Sequence, residues 1–116
     1  MPFDQTNFVE AKPEVELEPW RRVLLDAAQY IREHGWCQNS VRTDDGRVCA
    51  IGAIGMAYDA AFHNSRCCEI AITAMNHLDA TLARKGHLPD IVKFNDAPGR
   101  TAEEVARAME ECARQP

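Results

Sequence analysis

Between Pro19 and Gly35 the chain carries Trp20, Val23, Leu24, Ala27, Ala28 and Ile31. That is the i, i+3, i+4, i+7, i+8, i+11 spacing of a single helix face. Proline suits the first helical position, where its missing N–H needs no partner. Arg32 and His34 fall in the last turn, where positive charge meets the negative helix end. Gly35 supplies the left-handed residue that closes it. A helix so one-sided cannot stand alone, so the rest of the chain must cover its stripe. This constrains the fold to a packed, mainly α domain.

Three further helices are expected. Ala50–Phe62 places Ile51, Ile54, Gly55, Tyr58 and Phe62 on one face, with Ala50, Ala53, Ala57, Ala60 and Ala61 beside it. Two apolar faces predict a rod sandwiched inside the molecule. Ser65 is the expected N-cap of the third helix, with Cys68, Ala71, Ile72, Met75, Leu78 and Leu82 at core spacing and Gly86 at its end. In the linker after it, Leu88, Ile91, Val92 and Phe94 are expected to cover the core, with one helical turn from Pro89. Thr101-Ala102-Glu103-Glu104 is a capping box, and Val105, Met109 and Cys112 form the stripe of the last helix. Between the first two helices, Ser40–Thr43 and Arg47–Cys49 flank Asp44-Asp45-Gly46, a hairpin-turn signal. The expected fold is a mainly α, four-helix single domain over 19–116, with a short β-hairpin between helices 1 and 2. Residues 1–18, with two prolines and five acids, read as an acidic, flexible N-terminal tail.

Charge narrows the function classes. The net charge is −5, which argues against nucleic acid and anionic membranes as partners. No apolar run reaches the roughly 18 residues of a membrane span. The first residues have neither the basic nor the apolar segment of a signal peptide. A cytoplasmic location is therefore expected, with the five cysteines reduced.

Three segments, Gly35–Gln38 (GWCQ), Gly46–Gly55 (GRVCAIGAIG) and Phe94–Val105 (FNDAPGRTAEEV), stand out together. In combination they resemble a family of small uncharacterised proteins of actinobacteria and their phages. Its motifs are Gly-Trp-x-Gln, Gly-x-x-Cys-Ala-x-Gly-Ala and aromatic-Asn-Asp. The resemblance runs from Val23 to Ala113, and those relatives have a longer segment between Gly46 and Cys49. It implies no activity, because that family has no known one. It singles out Trp36, Gln38, Cys49, Asn95 and Asp96 as matching positions.

Each of the five also has a bland reading. Cys49 precedes a helix, where the dipole favours thiolate. A nucleophile needs a base, and His34, His63, His77 and His87 are available without a signature that commits one. Packing is the favoured role for this cysteine. Cys37, Cys49, Cys67 and Cys68 with the histidines suffice as metal ligands by count, yet no paired zinc spacing occurs. Neither a metal nor a cofactor is expected. Asn95-Asp96 reads as a turn whose side-chain oxygens meet backbone N–H groups. All five are candidate binding residues: Trp36 could anchor a partner but reads as closing the core, and Gln38 could hydrogen-bond a ligand but reads as meeting backbone or water. The leading expectation is a non-catalytic module that binds another protein, with homodimerisation a second possibility. The alternatives are a cysteine-dependent enzyme using Cys49 with a histidine, or a Cys/His metal-stabilised module.

Overall fold

The computed structural model describes residues 17–62 and 68–116. Among the described residues five helices follow in order: α1 Pro19–His34, α2 Ala50–Phe62, α3 Glu69–Arg84, α4 Ile91–Asp96 and α5 Ala102–Arg114. The expected turn after Pro89 is a helix in its own right, so four helices become five. Asp90 starts it by accepting a hydrogen bond from the Lys93 N–H at 3.0 Å.

The first stripe is as its spacing dictates. Trp20, Val23, Leu24, Ala27, Ala28 and Ile31 are all buried. α1 is packed most extensively against α5 and α2, and also against α3. Each large aliphatic chain buried there contributes about 1.5–3 kcal/mol. α5 answers with Val105, Ala106, Met109 and Cys112, and its capping box is formed, Glu104 N–H to Thr101 Oγ1 at 3.2 Å and Thr101 N–H to Glu104 Oε1 at 3.0 Å.

Outside the core, Arg32 of α1 grips two carboxylates of α5. Its Nη2 donates to Glu103 at 2.9 Å and to Glu110 at 3.1 Å, and Nη1 also donates to Glu110. The guanidinium holds both carboxyls below the usual range. A depressed carboxylate contributes stability above its unfolded pKa and loses it as pH falls through the folded value. Glu110→Gln should therefore cost about 0.5–1 kcal/mol at pH 7. Urea titrations of both proteins should converge as the pH approaches 3. A gap that persists there means the pair is not what couples the helices.

The β-hairpin is not formed. Asp44-Asp45-Gly46 does turn, with Gly46 at φ +94°, and the Thr43 N–H reaches Arg47 O at 2.9 Å. Yet Val48 makes only isolated bridges, antiparallel to Arg42 and parallel to Trp36. The return limb ends where α2 begins at Ala50, so no ladder has room to grow.

The sandwiched rod is also corrected. α2 buries Ala50, Gly52, Ala53, Ile54, Ala57 and Tyr58, whereas Gly55, Ala60 and Ala61 are exposed. Alanine is apolar but small, and exposing it costs little. On α3, Ala74, Leu78, Thr81 and Leu82 face inward while Ile72 faces out. Cys68 is the exposed N-cap residue of that helix and does not pack in its core. Of the linker residues, Ile91 and Phe94 are buried, and Leu88 and Val92 are exposed. The expected cap Ser65, together with His63, Cys67 and the tail up to residue 16, lies outside the described residues. Among the described residues no helix is long and apolar enough to cross a membrane.

Candidate functional site

The end of α1, the start of α2 and the end of α4 meet at Asn95. α1 stops at Gly35, whose N–H donates to Ile31 O at 2.9 Å and whose φ is +100°. A Cβ there would lie 2.7 Å from Arg47 Cγ, so glycine is required twice over. The chain then turns so that Trp36, Cys37 and Gln38 run beside the last turn of α4. Trp36 packs on the core cluster and its indole N–H donates to Asn95 Oδ1 at 2.7 Å. The same oxygen accepts the Ala50 N–H, the first of α2, at 3.0 Å. Asn95 Nδ2 donates to Cys37 O at 3.1 Å and to Asp96 Oδ1 at 2.9 Å. All four positions of this carboxamide are used, and the residue is 1% exposed.

A second ring surrounds that centre. Gln38 Nε2 donates to the carbonyls of Asn95 at 3.1 Å and Ala97 at 2.9 Å. Asp96 Oδ1 also accepts the Asn39 N–H at 2.9 Å. Asn39 sits at φ +66°, a left-handed conformation that asparagine tolerates. Trp36, Gln38, Asn95 and Asp96 thus converge in one clasp, and the last pair belongs to a helix end and not to a local turn. Apart from the bond between Asn95 and Asp96 themselves, their partners are 45 to 59 residues away in sequence.

Cys49 stands at the edge of this clasp. It precedes α2 and its Sγ accepts the Gly52 N–H at 3.5 Å, the role of a helix cap. The residue is 7% exposed and lines an open cleft of about 450 Å³ with Asn39, Ser40, Val41, Ile51, Val92, Asn95 and Asp96. Cys37 lies nearby, its Sγ donating to Ser40 O at 3.3 Å, and burial pushes its thiol up. A raised thiol is a poor nucleophile at neutral pH. The described histidines sit elsewhere, each stacked on or against an aromatic ring: His34 on Tyr30, His77 on Trp20, His87 on Phe94. Among the described residues no histidine lines the cleft of Cys49, and no group of three His, Cys, Asp or Glu is placed to hold a metal ion.

The clasp fits the motif positions together as one unit, and a family model spans them all, matching residues 16–115. The chain belongs to DUF6197, a family of unknown function. No curated protein and no solved structure is significantly similar to it. The DUF6197 match covers α1 to α5 and every residue of the clasp.

One feature of the surface escaped the sequence pattern. Val41, Ile72, Leu88 and Val92 are 58, 46, 64 and 51% exposed. Val41, Ile72 and Val92 line three depressions that meet at Ile51: the Cys49 cleft, a groove of about 370 Å³ between α3 and α4, and a hollow of about 790 Å³ between α2 and the loop at 40–44. Leu88 directly precedes Pro89, which lines the groove. The available signal was a second stripe on α3, Ile72 and Met75 running into Asn76 and Asp79. A stripe that turns polar is more often a surface than a core.

Proposed function

We propose that this domain works by binding another protein and has no catalytic step of its own. The observation that carries the reading is the grouping of three exposed large aliphatic side chains, Val41, Ile72 and Val92, around Ile51. Scattered surface valines need no explanation, but a set sharing adjoining depressions marks an interaction site. The polar residues that chemistry would need are engaged in holding the fold: Asn95 is saturated, Asp96 and Gln38 are bonded to backbone, and Cys49 caps α2. On this reading the domain is cytoplasmic, its thiols are reduced, and the motif residues serve it by holding the face in shape.

Two variants of the immobilised chain test it against extract from its source cells. Val41→Asp with Val92→Asp should abolish retention of a specific protein, because both side chains are exposed and the charge is introduced where contact is made. Cys49→Ala should retain it. Loss of retention in Cys49→Ala with an unchanged melting curve would instead make the thiol the functional group.

A further inference from the structure

The charge on this face says what it takes. Asp96 borders the cleft, Asp79 and Asp90 border the α3–α4 groove, and Asp44 and Asp59 border the hollow beside α2. Among the described residues Arg42 is the one cation lining any of the three, and its Nη1 rests on Met56 Sδ at 3.8 Å. None of the five aspartates forms an ion pair with another described residue. Elsewhere most of the described acids are paired: Glu18 with Arg21, Asp26 with Arg22, Asp45 with Arg47, Glu103 and Glu110 with Arg32, Glu104 with Arg100, Glu111 with Lys85, with Glu33 and Glu69 the exceptions. Three of the five accept backbone N–H groups, which orients their carboxylates without neutralising them. The apolar centre is thus ringed by uncompensated negative charge.

From this juxtaposition we infer that the face docks a protein segment that is both apolar and basic, its aliphatic side chains on Ile51, Val41, Ile72 and Val92 and its Lys or Arg side chains on the surrounding aspartates. The inference rests on the binding reading above and adds the chemistry of the partner. Charge also removes the other occupants. A second copy of the same face would oppose five aspartates to five more, with one arginine on each side, and like charges brought together cost several kcal/mol. The chain's own residues 1–16 carry Asp4, Glu10, Glu14 and Glu16 against Lys12 alone, so they share the sign of the face. Nucleic acid shares it too.

A displayed library of random peptides of about a dozen residues, selected on the full chain, tests the inference. The expected winners carry Lys and Arg in clear excess over Asp and Glu, interleaved with aliphatic or aromatic residues. Their affinity should fall at least about tenfold in Val41→Asp/Val92→Asp, roughly fivefold in Asp44→Asn/Asp59→Asn, and with added salt. Thermal melting of each variant checks that the fold is kept. Winners that are acidic or neutral, yet lost in Val41→Asp/Val92→Asp, overturn the basic partner and leave the binding reading standing. Winners that bind Asp44→Asn/Asp59→Asn as well as the unaltered chain overturn the basic partner alone; winners that bind Val41→Asp/Val92→Asp as well as the unaltered chain, or no winners at all, overturn both. Sedimentation showing a dimer that the double variant dissolves makes a second copy the occupant and overturns the inference.

Discussion

Asn95→Ala is expected to destabilise the domain by about 3–5 kcal/mol, enough to lower its melting temperature by roughly 15 °C. The side chain is 1% exposed and makes four hydrogen bonds, so nothing replaces it when it is cut back. The Ala50 N–H and the Cys37 carbonyl lose a buried partner, at about 1–3 kcal/mol for each group left unmade. The Trp36 indole N–H is better placed to find water, because that residue is only half-buried. Asn95→Asp separates the two halves of the clasp. It keeps an acceptor for Trp36 and Ala50 but sets a carboxylate oxygen against Cys37 O and the Asp96 carboxylate. Its own pKa should be raised in the folded state, so the lost stability returns as pH falls below the folded value. Urea unfolding followed by tryptophan fluorescence reads both variants. A loss under 1 kcal/mol for Asn95→Ala means the three helix ends are held by packing alone and the clasp adds nothing.

That clasp illustrates where reading the chain stops. The residue types at 36, 38, 95 and 96 stood out, and the role expected of Asn95-Asp96, oxygens on backbone N–H groups, is the role they have. Their partners were out of reach, because a hydrogen bond across 45 to 59 residues leaves no local pattern. α1 and α5 were legible since each has one apolar stripe and recognisable end signals, Pro19 and Gly35 for α1 and the Thr101–Glu104 capping box for α5, and all of these are local. α2 was not, because its alanines are apolar without needing burial. The Asp-Gly turn was legible as a turn; whether strands grow from it depends on how many residues remain before the next helix, and here there are too few. The Ile51-centred face was misassigned to the core for a related reason. Helical spacing identifies a stripe but not which of two adjacent stripes faces inward, and Ala74 took the place expected of Ile72.

The two glycines of α2 are expected to respond to alanine with opposite signs. A Cβ on Gly52 would fall on the Val41 carbonyl oxygen, well inside van der Waals contact, and 3.2 Å from Val41 Cγ1 and 3.3 Å from Val48 Cβ. The carbonyl cannot step aside freely, because it also accepts the Cys49 N–H at 3.0 Å. Gly52→Ala must therefore push α2 away from the loop at 40–44 or break that bond. Overpacking against backbone costs about 2–4 kcal/mol, even after the gain of up to about 1 kcal/mol in helix propensity. Gly55 has nothing within 4 Å of its Cβ position and is exposed, so Gly55→Ala should stabilise by about 0.5–1 kcal/mol. Urea unfolding at pH 7 reads the pair, and equal effects would show that the loop is not seated on α2. The Gly52 variant carries a second readout, since displacing Val41 opens the cleft over Cys49. Its iodoacetamide labelling should quicken while that of Cys112, buried on the inner side of α5, does not. Labelling that rises equally at both thiols would mean the domain has loosened as a whole. A rise at Cys49 alone would make Gly52 the residue that lets the loop close over the cleft, which is the physical reason for a glycine inside an otherwise good helix.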